Sequence, residues 1–171
     1  EVRVQIGERD MRSVGGWSED EKRKKHRPEG VVDAQFSIPY TVAATLLSGG
    51  LSLEDFTDAK LRSDELLELA ARVKPILNPE LDQGPMDVKP QVVEIVTRDG
   101  KVFSERVEYP KGNPNNPVTS DELVASFRGM ASYAATPLSA GNIADAVALA
   151  LSLEEVSDVS VLTRLLTASP L

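Results

Sequence analysis

The sequence has no cysteine, a single histidine and few aromatic residues, 5% of 171 positions. Without cysteine there are no disulfides, no iron–sulfur ligation by thiolates and no thiolate nucleophile. That absence fits a reducing compartment, and a cytoplasmic location is expected. With His26 alone, the chain cannot build a multi-histidine metal site. A Ser-His-Asp triad would have to use a histidine set in a run of lysines. No metal and no cofactor are expected. Positive charge is also scarce: 19 Lys and Arg face 27 Asp and Glu, a formal net charge of -8. Phosphate backbones and anionic lipid surfaces both call for a basic face, so neither nucleic acid nor membrane is an expected partner. The longest apolar run, around Val42 to Leu47, is far too short to span a bilayer. Phosphate-binding glycine loops, the Gly-x-Ser-x-Gly elbow and His-Glu-x-x-His are missing as well.

What is present is enough for one domain with a core built mostly of Leu, Val and Ala, since 41% of residues are hydrophobic. The chain opens on Glu1-Val-Arg-Val-Gln-Ile6, already in the alternation of a half-buried strand and without an initiator methionine. It is therefore expected to be the C-terminal piece of a longer polypeptide or a processed product. Residues 7–30 lack periodicity and are expected to form a long surface loop. Ser37 can cap a helix that has Pro39 in its first turn and ends at Gly49-Gly50. This helix is apolar on nearly every side, which predicts burial all round. Ser52 to Asp55 is an approximate capping box for a short helix. Ser63 opens another helix, and Val73 to Leu77 reads as a short strand. Residues 78–90 read as a loop. Asp99-Gly100 between two β-branched runs predicts a hairpin, strands 92–98 and 101–109, with a type I′ turn. Pro110 to Pro117 cannot be regular structure. Thr119 to Glu122 is a capping box for a helix to about Ala135 with Leu123, Phe127, Met130 and Ala131 inward. Helices over 139–151 and 160–167 follow. The expected fold is α+β, a small antiparallel or mixed sheet of about four strands with helices packed on it.

Three places could carry chemistry. Tyr40, at the entrance to the apolar helix, is either a core anchor with its hydroxyl on a backbone carbonyl, or a pocket residue donating a proton or hydrogen bond. The basic run Lys22-Arg-Lys-Lys-His-Arg27 is either a solvated face or an anion-attracting patch just before Ser37 to Tyr40. Arg27 is the nearest of these cations to that segment in sequence, and its planar guanidinium suits a carboxylate. Lys111, in the loop Tyr109-Pro-Lys-Gly-Asn-Pro-Asn-Asn-Pro117, could reach an anion or serve a structural turn.

Taken together, three segments resemble the MmgE/PrpD family, which includes 2-methylcitrate dehydratase, cis-aconitate decarboxylase and iminodisuccinate epimerase. The first is Asp33-Ala-Gln-Phe-Ser-Ile-Pro-Tyr40 with Ala43-Ala-Thr-Leu-Leu-Ser-Gly-Gly50. The second is Arg98-Asp-Gly-Lys101 followed by the Tyr109 to Val118 loop and Glu122 to Phe127. The third is Val161-Leu-Thr-Arg-Leu-Leu166. The resemblance implies that residues 1–171 are the smaller α+β domain that follows a large helical domain in the family. The family's principal acid–base residues lie mostly on that helical domain, which is absent here, and the active site is a cleft between the two. It implies cofactor-free chemistry on a small polycarboxylate, dehydration favoured over decarboxylation or epimerisation, in a homodimeric parent. Tyr40 then becomes the carried-over pocket residue with a catalytic role and Ser37 its weaker, substrate-binding neighbour, while Arg27 and Lys111 stand as substrate-binding candidates on their own chemistry. This piece alone is expected to be inactive. The alternative is a free-standing α+β ligand-binding or interaction module.

Overall fold

The computed structural model describes residues 1–83 and 90–167. Contacts divide them into two compact units, Glu1–Asn116 and Pro117–Leu171.

The first unit is built on a four-stranded mixed sheet of order β2-β1-β3-β4, with β1 at Val2–Ile6, β2 at Val73–Leu77, β3 at Gln91–Val96 and β4 at Val102–Val107. The alternation at the start of the chain has its expected consequence, because Val2, Val4 and Ile6 are buried on one face of β1. β1 pairs parallel to β2, with Val4 opposite Pro75, and antiparallel to β3, with Val4 opposite Val93. Pro75 is tolerated because β2 is a sheet edge.

The parallel β1–β2 pair needs a crossover, and residues 7–72 supply it as helices. They are α1 (Glu8–Asp10), a π-helical turn (Met11–Gly15), α2 (Glu19–His26), α3 (Val31–Gln35), α4 (Ile38–Ser48), a 3-10 turn (Leu53–Phe56), α5 (Asp58–Leu61) and α6 (Asp64–Ala70). The core joins the buried face of β1 to Tyr40, Ala43 and Ala44 of α4 and Leu66 and Ala70 of α6, with Val93 and Ile95 of β3 partly buried against it.

Several expectations are corrected. The supposed loop 7–30 is largely helical. The sequence EDEKRKKH of α2 has no apolar face to reveal it, and the helix is set by its cap and ion pairs instead. α4 has the predicted cap and stop, with Gly49 in the left-handed conformation at φ 74, but it is not buried all round. Leu46 and Leu47 are exposed in this unit, since only the side carrying Tyr40, Ala43 and Ala44 meets the sheet and α6. The hairpin forms with strands that stop one to two residues further from the turn than expected, at Val96 and Val102. β3 starts one residue earlier, at Gln91, β4 ends two residues earlier, at Val107, and the turn is not type I′. No described non-glycine residue has a positive φ, so Asp99 cannot be the first half of such a turn. Instead the Gly100 amide donates to the Thr97 carbonyl at 3.1 Å, Thr97 donates to the Lys101 carbonyl at 2.9 Å, and Gly100 alone turns left-handed at φ 82. This is a three-residue loop in which Asp99 keeps an ordinary backbone and pairs with Lys101 at 2.9 Å. In the expected loop 78–90, Pro79–Asp82 form a 3-10 turn, and the part over 84–89 lies outside the described residues.

The second unit contains α7 (Ser120–Ala131), α8 (Ala140–Leu151) and α9 (Ser160–Leu166). Thr119 and Glu122 form the predicted capping box, and Asn142 donates across to the Leu165 carbonyl at 3.2 Å. α7 ends at Ala131, short of Ala135, and its inward stripe is Val124, Phe127 and Ala131. Leu123 and Met130, expected inside, are 59% and 61% exposed, because that stripe already fills the side of α7 turned to its unit.

Candidate functional site at the junction of α2 and α4

α2 begins at a reciprocal cap: Ser18 accepts the Glu21 amide, and Glu21 accepts the amides of Ser18 and Trp17 at 2.9 and 2.8 Å. Those two amides hold the Glu21 carboxyl below its usual range. Acids fill the first turn and bases the last, the favourable order for the helix dipole. Lys22 pairs with Glu19 at 2.7 Å, and Arg23 and Lys24 share Asp20 at 2.9 and 3.0 Å. The basic run therefore has no single character. Its first half neutralises the acids of its own helix.

Lys25 and His26 are structural. Lys25 turns inward and donates its ammonium to the carbonyls of Ser13 at 2.8 Å and Phe36 at 2.6 Å, tying α2 to the π-helical turn and to the α3–α4 junction. His26 sits with Nδ1 2.7 Å from the Lys22 carbonyl and Nε2 2.9 Å from the Val73 carbonyl, bridging α2 to the start of β2. Arg27, the C-cap of α2, is exposed and makes no ion pair within 4 Å among the described residues.

Ser37 is buried. Its oxygen accepts the Tyr40 amide at 3.1 Å, and its hydroxyl donates to the Lys25 carbonyl. It is both the cap of α4 and the clasp between α4 and α2. Tyr40 is fully buried, stacks obliquely on Phe56 with ring centroids 6.1 Å apart, and donates its hydroxyl to the Asp55 carbonyl at 2.6 Å. Burial, and then the Asp55 charge, raise the Tyr40 pKa, so the phenol keeps its proton at neutral pH.

Asp55 is the group that sequence reading treated only as half of a cap. Its carboxylate is buried and accepts from the Ser52 amide at 2.9 Å, the Ser52 hydroxyl at 3.1 Å and the Ser48 hydroxyl at 2.9 Å. Burial pushes its pKa up, and the three donors more than offset this, leaving it below the usual carboxylate range. The box Ser52 to Asp55 was a legible signal for the cap; nothing in the sequence links it to Tyr40.

The four predicted site residues are thus not one cluster. Ser37 and Tyr40 are together and inside. Arg27 lies outside, in grooves that run from α2 to α6 and α5. Lys111 is exposed in the Pro110–Pro117 segment, and neither groove includes it. Among the described residues no group of three or more His, Cys, Asp or Glu could hold a metal ion, and no helix is long and apolar enough to cross a membrane.

A mixed sheet crossed by helices, an internally satisfied Tyr–Asp–Ser cluster and a charged groove define an α+β domain with its polar machinery on one crossover. The chain belongs to the MmgE/PrpD family, the model of the MmgE/PrpD C-terminal domain matching residues 1–150. It is similar to the cis-aconitate decarboxylase of Mus musculus, with 28% identity over 139 residues, 81% of this chain and 28% of that protein. The Homo sapiens cis-aconitate decarboxylase is 26% identical over 134 residues, 78% of this chain and 27% of that protein. That of Aspergillus terreus is 29% identical over 153 residues, 88% of this chain and 29% of that protein. The chain therefore spans under a third of the length of the curated relatives it matches.

Proposed function

We propose that the chain is the C-terminal domain of a cofactor-free enzyme that acts on a small di- or tricarboxylate, and that it supplies one wall of the site while remaining inactive alone. The observation that carries this reading is the family match across residues 1–150 together with relatives named for cis-aconitate decarboxylation. Those names favour decarboxylation over the dehydration that the resemblance alone put first; epimerisation is the third outcome of the same chemistry. Each begins by breaking a bond beside a carboxylate, which requires a base, a neutral hydrogen-bond donor and cationic contacts for the acid groups.

In this reading Arg27 and Lys111 are the cations that meet substrate carboxylates. Tyr40 is the neutral donor. Its raised pKa suits donation and excludes it as a base near neutrality. Its hydroxyl is buried and held by the Asp55 carbonyl, so this role requires that bond to open before a substrate carboxylate can be met. Ser37 contributes by fixing the Tyr40 amide and the end of α2. The remaining acid–base groups belong to the rest of the parent, which we take to be homodimeric and cytoplasmic. Turnover of cis-aconitate, 2-methylcitrate and iminodisuccinate by the full-length parent tests the assignment. Activity on one of them is expected, and inertness toward all three removes it.

A further inference from the structure

The groove between α2 and the α5–α6 turn contains a second arginine that the sequence did not single out. Arg62 is the C-cap of α5, as Arg27 is the C-cap of α2, and both side chains line one open groove of about 540 Å³. Both are exposed, and neither makes an ion pair within 4 Å among the described residues. The other charges in the groove are accounted for differently. Asp20 is taken by Arg23 and Lys24. Glu29 acts on Lys24, whose pKa it helps to raise after Asp20. Asp64, in the first turn of α6, also lines the groove. Four cationic side chains thus face three carboxylates, a local positive excess in a chain of net charge -8. These two arginines sit at separate helix ends and line the same groove. Each can take a carboxylate in a planar two-bond fork, which an ammonium cannot do.

We infer that Arg27 and Arg62 together form a two-pronged receptor for an anion bearing two separated carboxylates, with Arg62 the residue that selects a polycarboxylate over a monocarboxylate. This rests on the proposed substrate class, and it adds the second prong.

The test uses the 171-residue chain and tricarballylate, a saturated tricarboxylate, with acetate and inorganic phosphate as separate arms. Arginine side-chain NMR shifts and calorimetry at low salt give the readout. Tricarballylate is expected to shift the Nε resonances of Arg27 and Arg62, and Arg62→Gln and Arg27→Gln each to weaken it about five- to tenfold. Arg98→Gln, in the hairpin turn, serves as the surface control and is expected to leave binding unchanged. Acetate is expected to bind far more weakly. Phosphate binding as tightly as tricarballylate would overturn the two-carboxylate assignment, and so would an Arg62→Gln chain that binds like the wild type. The outcome is separable from the enzyme assignment. A full-length parent that turns over a polycarboxylate, with KM untouched by Arg62→Gln, keeps its function and loses the receptor. A chain that binds tricarballylate through both arginines, in a parent inert to all three substrates, does the reverse.

Discussion

Tyr40 donates its hydroxyl to the backbone carbonyl of Asp55 at 2.6 Å, fifteen residues further along the chain. That bond joins the first turn of α4 to the 3-10 turn that follows it, and both partners are buried. Removing the hydroxyl leaves a buried carbonyl without its donor. Tyr40→Phe is therefore expected to cost about 1–2 kcal/mol in denaturant unfolding of the chain. If Tyr40 is the proposed neutral donor, the same variant in the full-length parent is expected to lower kcat/KM about tenfold or more. Loss of stability with kcat/KM unchanged would confine Tyr40 to anchoring.

The Asp55 carboxylate gives the chain an acid-sensitive point. Its folded pKa is depressed, so its contribution is complete above the unfolded carboxylate value of about 3.9 and is lost as pH falls through the folded value. Asp55→Ala at pH 7 is expected to cost about 2–3 kcal/mol, since the Ser52 amide and the Ser48 and Ser52 hydroxyls lose their acceptor. Glu19, Asp20 and Glu21 are lowered too, so wild-type acid unfolding alone does not isolate Asp55. The comparison with Asp55→Asn does. The variant's urea midpoint is expected to fall less steeply between pH 5 and pH 3 than that of the wild type, and parallel curves would show that Asp55 is not the group involved.

Two adjacent lysines separate a tether from a surface charge. Lys25 donates to two backbone carbonyls, whereas Lys24 makes one ion pair with its side chain 70% exposed. Lys25→Met is expected to cost about 2 kcal/mol and Lys24→Met less than about 0.5. Equal effects in urea unfolding would contradict the division of the basic run.

Ser37→Ala removes the α4 cap and leaves the Lys25 carbonyl without its donor. A loss of about 1–2 kcal/mol is expected, and Ser37→Thr is expected to restore part of it. A neutral Ser37→Ala would show that α4 and α2 are held elsewhere.

The fold was legible wherever a local rule decided it. Alternating valines gave β1, Ser37 with Pro39 gave the start of α4, Gly49 gave its end, and Thr119 with Glu122 opened α7. The sequence misled where the deciding contacts are distant or the pattern is polar. α2 has no apolar stripe, so a helix held by Ser18, Glu21 and three short ion pairs looked like a loop. The turn at Asp99-Gly100 follows from one backbone angle that the dipeptide leaves open. The all-round apolarity of α4 overstated its burial, because a sequence does not say how many neighbours a helix meets. At the site, Tyr40 and Ser37 stood out as helix-entry residues. Their partners, the Asp55 and Lys25 carbonyls, are backbone atoms, which no residue pattern can name. Arg62 lay outside every motif, and only the fold brings it beside Arg27.

The most direct measurement is carbon dioxide release from cis-aconitate by the full-length parent, followed beside dehydration of 2-methylcitrate and epimerisation of iminodisuccinate, with the 171-residue chain as control. The parent is expected to decarboxylate cis-aconitate without added metal or cofactor, and the isolated chain to do nothing. A parent that transforms none of the three would contradict the assignment.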